Sequence, residues 1–175
     1  NEALDEADSS YEALSRERDE LKSALDEINE SISYASRIQQ AMLPSENYLQ
    51  KHFPEAFLLF LPRDVVSGDF YWLAKQDGKI ISVAADCTGH GVPGAFMSML
   101  GIAFLNEIVR KEEVTQANHI LNHLRENIII SLRQKGAYEQ CAIPAVGSKP
   151  EQVKDGLDIA LCIINTNNNE LQFAG

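Results

Sequence analysis

The sequence has little cysteine, no long apolar run and no cluster of basic residues, and each shortage removes a class of protein. Its three cysteines, Cys87, Cys141 and Cys162, are odd in number and form no C-x-x-C pair. They read as reduced thiols in a cytoplasmic setting rather than as a disulfide framework. No uninterrupted apolar stretch approaches the roughly 18 residues that a membrane span needs, and the N-terminal residues are acidic and polar, unlike a signal peptide. The chain is therefore expected to be soluble, with or without a membrane-bound sensor upstream of it. With 26 acids against 15 lysines and arginines the net charge is -11, which makes nucleic acid a poor partner, because phosphate binding draws on clustered Lys and Arg. The 175 residues, 45% hydrophobic and 23% charged, suit one domain with an appendage, and exclude wholesale disorder.

The charge is uneven. Residues 1–30 hold eleven acids against Arg16, Arg18 and Lys22, or -8, whereas residues 31–175 hold fifteen acids and twelve bases, or -3. Within the acidic segment the apolar residues recur every seven positions. One set is Leu4, Tyr11, Arg18, Leu25 and Ile32; the other is Ala7, Leu14, Leu21, Ile28 and Ala35. Nine of these ten seam positions are apolar, with no Gly or Pro in five heptads, which is the pattern of a two-stranded coil. A single amphipathic helix lying on its own domain is the alternative, but the stripe is narrow and a long isolated helix has few other sources of stability. Arg18 weakens the seam locally, as suits a helix that shifts. The helix is expected to run to Leu43 and stop before Pro44. Over residues 34–43 the apolar set widens to Tyr34, Ala35, Ile38, Ala41, Met42 and Leu43, the expected docking face on the globular body. The division is thus 1–43 for a coiled-coil, regulatory helix and 44–175 for the body.

Residues 68–91, GDFYWLAKQDGKIISVAADCTGHG, carry the most chemistry. Asp77-Gly78 between strand-like residues is a two-residue hairpin turn, since both turn positions need positive φ. Gln76 then pairs with Lys79, and every cross-strand pair sums to 155. Phe70, Trp72, Ala74, Ile81, Val83 and Ala85 form one apolar face, and Asp69 falls opposite Asp86. Opposed Cβ atoms lie about 4.5–5.5 Å apart, where two carboxylates repel by roughly 3 kcal/mol at an effective dielectric near 20. A raised pKa on one acid, a buried Lys or Arg, or a metal ion would relieve this; so would an aspartate ending its strand in solvent. The only local base is Arg63. If a metal is the answer, an oxygen-donor set favours Mg²⁺ or Mn²⁺ over zinc.

After Asp86 a Gly-rich turn leads to Pro93 at an expected first helical position. The helix over 93–110 is apolar almost all round and so belongs in the core, with Gly94, Ala95 and Gly101 allowing close backbone approach. The turn lacks the Lys of a P-loop and the spacing of a dinucleotide fingerprint.

The motifs Val66-Ser67-Gly68-Asp69-Phe70-Tyr71-Trp72 and Asp86-Cys87-Thr88-Gly89-His90-Gly91-Val92-Pro93-Gly94-Ala95-Phe96-Met97-Ser98 resemble the SpoIIE/RsbU-type branch of the metal-dependent (PPM, type-2C-like) protein serine/threonine phosphatases. Residues 34–44 resemble the regulatory helix ahead of that domain. Residues 154–161 and 171–175 look like its later strands, so the likeness covers about 33–175. It implies an α+β fold, a partial αββα β-sandwich flanked by helices and preceded by a long coiled-coil helix. It further implies a two-metal Mn²⁺ or Mg²⁺ site in which Asp69, Asp86 and the backbone carbonyl of Cys87 are ligands. Asp86 would bridge the ions and a metal-bound water would attack phosphorus, with no phosphoenzyme. Arg63 is a weak candidate for steadying the substrate phosphate. The family's remaining acids lie beyond an A-G-x-N-P stretch inside which Gly175 falls, so an incomplete and inactive site is expected here, in an enzyme whose longer form is active. Asp158 matches no family ligand position.

The implied substrate is a phosphorylated regulatory protein of a bacterial signalling pathway, and the implied assembly a homodimer through the coil. The alternative is a dimeric signalling scaffold with a non-catalytic phosphatase body. His119 and His123, with Glu126 one turn on, have zinc-like spacing, but the expected helix over 116–134 buries Ala117, Ile120, Leu121, Leu124, Ile128 and Leu132 and leaves both histidines on the wet face. The cysteines read as packers or loop thiols, and residues 135–150 as a loop of no assigned role.

Overall fold

The computed structural model describes residues 2–111, 116–134 and 155–175, with side chains from residue 9 onward. Helix α1 (Glu2–Met42) is followed by the short α2 (Glu46–His52), the hairpin β1 (Phe70–Gln76) and β2 (Lys79–Cys87), helices α3 (Gly91–Lys111) and α4 (Ala117–Ser131), and the hairpin β3 (Leu157–Asn165) and β4 (Glu170–Ala174). The strands form one antiparallel sheet in the order β1-β2-β3-β4. Among the described residues this is the only sheet, so the fold is half of the expected sandwich, backed by helices on one side.

The β1–β2 register follows the turn. Asp77 and Gly78 have φ of 50° and 75°, and the pairs run from Gln76↔Lys79 to Phe70↔Ala85. The alternation of a strand then puts Phe70, Trp72, Ile81, Val83 and Ala85 on one face, where they meet Leu161 and Ile163 of β3 and the helices α3 and α4. Ile81, Ile102, Leu105 and Leu161 are completely buried, and each such aliphatic side chain contributes roughly 1.5–3 kcal/mol by leaving water. Trp72 satisfies its buried indole N–H on Asn106 Oδ1 at 3.2 Å.

Helix α3 starts two residues earlier than expected, with Pro93 as its third residue. That is tolerated because the first-turn N–H groups have no intrahelical partner. Its length and mean hydropathy (1.5 over an 18-residue window) would satisfy a membrane span, but half of that window is buried in the fold, as in a core helix. Helix α4 is shorter than expected and ends at Leu132; its N-cap residue Gln116 makes no side-chain capping bond, and the Ala117 N–H donates to Gln172 Oε1 at 3.1 Å. Helix α2 was not foreseen; Ser45 caps it, accepting from the Tyr48 N–H.

The docking face of α1 differs from the expected one. Tyr34 (62% exposed) and Ile38 (45%) point away from the body, and Ala41 is exposed as well. The face turned inward carries Ser36 and Gln39, both buried, with Ile32, Ala35, Met42 and Leu43 partly buried. Positions 32, 35, 39 and 42 continue the heptad spacing, so the stripe with that spacing is the one that docks. Upstream of it Tyr11, Leu14, Leu21, Leu25 and Ile28 are between 51% and 73% exposed.

Residues 135–150, including Cys141, lie outside the described residues, as do Lys154 and the side chains of Leu4 and Ala7.

Candidate active site

The sheet face opposite α3 and α4 carries the acids. On β1 and β2 that face holds Tyr71, Leu73, Ile80, Ser82, Ala84 and Asp86, by the same alternation that sends their neighbours into the core. Residues 58–61 cover part of it: Phe60 stacks edge-on against Tyr71 at 5.4 Å, and the Tyr71 hydroxyl donates to Pro44 O at 3.0 Å. What stays open is a cavity of about 600 Å³ lined by Leu58, Phe60, Tyr71 and three carboxylates, Asp69, Asp86 and Asp158.

Asp69 stands just outside the β1 ladder, which begins at Phe70, so it is not a paired strand residue as the arithmetic had it. Its side chain nevertheless meets that of Asp86. Partial burial raises its pKa above the ordinary carboxylate value of 3.8, and a hydrogen bond with Asp86 and the charge of Asp86 raise it further. Both acids are exposed and Asp69 lies beyond the end of the ladder, so solvent relieves part of the repulsion. Among the described residues no Lys, Arg or His forms an ion pair with either acid. Arg63 is exposed and lines a different cavity, beside Ile32, Asp64, Val65, Val66, Gly91 and Val92.

The loop after Asp86 is held by backbone contact. A Cβ on Gly94 would lie 2.6 Å from Gly89 O, and one on Gly68 2.8 Å from the same oxygen and 3.4 Å from Cys87 O. Gly68, Gly89 and Gly94 thus bring three chain segments together around the carbonyls that follow Asp86, at a spacing only glycine allows. The Cys87 thiol is buried, and burial, then the charges of Asp86 and Asp69, push its pKa up to about 12. It stays protonated, so Cys87 offers its carbonyl and not its sulfur. His90 Nδ1 lies 3.3 Å from Asp64 Oδ2, an exposed pair that ties the loop to the strap before Asp69.

Two polar anchors of this strap escaped the sequence reading. Ser36 Oγ donates to Val65 O at 2.8 Å. The buried Gln39 amide donates to Ser67 O at 2.6 Å and to Ser98 Oγ at 2.7 Å, and accepts from Ser67 N–H at 2.9 Å. A buried side-chain amide needs such partners, and a Gln on a coil seam position was the available signal. Asp158 was also passed over: it pairs directly with Asp86 across β2 and β3. His119 and His123 are exposed on α4, away from its buried Ala117, Ile120, Leu124 and Ile128.

The donors present fit a hard divalent cation: two neighbouring carboxylates with the backbone carbonyl after Asp86 beside them, and no nitrogen or available thiolate among them.

No protein-family model and no curated protein matches the chain. Among solved structures it is similar to the SiaA-PP2C domain of Pseudomonas aeruginosa, with a TM-score of 0.70 and 31% identity over 87% of this chain and 55% of that one. The chain spans about half the length of the structure it matches.

Proposed function

Because the chain has the fold of a PP2C-type (PPM) phosphatase domain over most of its length, we propose that it belongs to a metal-dependent phosphoprotein phosphatase acting on phosphoserine or phosphothreonine. Asp69, Asp86 and the Cys87 carbonyl are the ligands it contributes for Mn²⁺ or Mg²⁺. Bound there, the metal supplies an acidified water as nucleophile and positive charge for the phosphoryl oxygens. The chain's own part is to hold the two carboxylates side by side, to fix the loop that follows Asp86 through the Gly68–Gly89–Gly94 contact, and to keep the Cys87 thiol protonated and out of the chemistry. The substrate is a phosphorylated regulatory protein of a cytoplasmic bacterial signalling pathway. The exposed heptad stripe on α1 pairs with that of a second copy, and the far end of the same helix grips the strap beside Asp69.

The observation that carries this reading is the contact between the Asp69 and Asp86 carboxyls within that fold, with no ion pair to either acid among the described residues. The test is phosphate release from a phosphoserine peptide by the full-length protein, with manganese and with EDTA. Turnover that requires manganese and is abolished by D86N supports it; turnover indifferent to EDTA or to D86N contradicts it.

One observation favours a second reading, a dimeric scaffold whose phosphatase body recruits without turning over. Among the described residues no three Asp, Glu, His or Cys side chains converge closely enough to hold a metal ion. Manganese binding without turnover in the full-length protein would select it.

A further inference from the structure

Asp86 has a carboxylate neighbour on each side. Asp69 precedes β1, and Asp158 sits opposite Asp86 on β3, at the pair Asp86↔Asp158. With the strand order β1-β2-β3 and neighbouring strands about 4.8 Å apart, the three acids form a row across the sheet with Asp86 in the middle. All three line the same cavity.

The position of Asp158 is pinned. The Thr88 N–H donates to Gly156 O at 3.0 Å and the Gly156 N–H to Thr88 Oγ1 at 3.0 Å, which closes the β2–β3 ladder two pairs beyond Asp86↔Asp158. Next to that pair in the other direction, and on the same face, stands Ala84↔Ala160. Both alanines are exposed, so no bulky side chain fills the space over Asp86 and Asp158. Like charges placed directly opposite destabilise a sheet. Among the described residues no basic group forms an ion pair with Asp158.

We infer that Asp158 is a positioning residue for the cation held by Asp86, accepting hydrogen bonds from that cation's water on the side away from Asp69. Direct ligation is not the role: three acids in a row one strand apart do not converge on a point, and a small divalent ion keeps several of its waters. The inference rests on the proposed metal site and adds to it a residue that contributes through charge and water. A third negative charge about 6 Å from a divalent ion, in a water-filled setting, changes its affinity by about tenfold.

The test is manganese titration of the full-length protein by calorimetry, with the melting temperature followed with and without the metal, for wild type, D158N, D158E and D86N. The expected result is about tenfold weaker manganese binding in D158N, partial recovery in D158E, and a higher melting temperature for D158N than for wild type in EDTA, since the repulsion is gone. Wild-type affinity in D158N, with metal binding still lost in D86N, overturns the role of Asp158 and leaves the metal site standing. Absence of manganese binding in the wild type overturns both. A D158N protein that melts lower than wild type in EDTA also overturns the inference, because Asp158 would then be a structural residue.

Discussion

Gln39 and Ser67 hold each other by a reciprocal pair of hydrogen bonds, the Gln39 amide donating to Ser67 O at 2.6 Å and accepting from Ser67 N–H at 2.9 Å. Ser67 is two residues from Asp69. The same Gln39 amide reaches Ser98 Oγ, whose hydroxyl lies 2.9 Å from Ala95 O in the first turns of α3. One side chain on the heptad stripe of α1 therefore grips both segments that flank the acids, and displacing α1 along its axis would pull on them together.

Q39A should leave the buried Ser67 N–H without its partner, while Ser98 Oγ keeps its bonds to Ser67 O and Ala95 O. The expected loss is about 1–3 kcal/mol in urea denaturation, with weaker manganese binding, whereas Ile38→Ala, one residue away and exposed, should change stability by less than about 0.5 kcal/mol.

G94A sets two effects against each other. An alanine in a helix gains up to about 1 kcal/mol over glycine in propensity, but its Cβ would meet Gly89 O at 2.6 Å, and forcing apart packed backbone costs about 1–3 kcal/mol. The clash should win: the melting temperature falls and manganese binding weakens with it.

The raised pKa of Asp69 gives the metal-free protein a pH signature. An acid whose folded pKa lies above its unfolded value binds more protons when folded. Its stabilising contribution is complete below the unfolded pKa and is lost as pH rises through the folded one. Wild-type stability in EDTA should therefore fall, relative to D69N, as pH rises from about 4 upward. Manganese binds the ionised carboxylate, so its affinity should rise over the same interval. Melting curves of both proteins, with and without manganese, read this directly.

The exposed stripe of α1 should be an interface between copies. Sedimentation of the chain should give a dimer, and Leu21→Asp, at a position 61% exposed in the single chain, should give a monomer with unchanged melting of the body. A wild-type monomer at high micromolar concentration would remove the coil.

The hairpin and its register were legible in the sequence because Asp77-Gly78 permits one turn and a two-residue turn leaves no freedom in pairing. The backbone contact of Gly94 was legible for a similar reason, since a small residue in an apolar helix marks close approach; at Gly101 the close neighbour is the Phe70 ring, not backbone. The docking of α1 was misread, since counting apolar residues favoured Tyr34 and Ile38, whereas burial falls on Ser36 and Gln39, whose hydrogen bonds no hydropathy pattern records. The Asp86↔Asp158 pair was out of reach. Two helices and a long stretch of chain separate β2 from β3, and no turn chemistry transmits a register across them. Asp69 and Asp86 came together as expected, but by side-chain contact beyond the end of the ladder.

The account rests on a divalent cation standing between those two carboxyls, and anomalous diffraction from a manganese-soaked crystal tests it most directly. The predicted result is a manganese peak about 2.0–2.3 Å from an Asp86 carboxylate oxygen, with Asp69 and the Cys87 carbonyl around the same centre. A map without that peak, or with the Asp69 and Asp86 carboxyls turned onto a lysine or arginine, would contradict it.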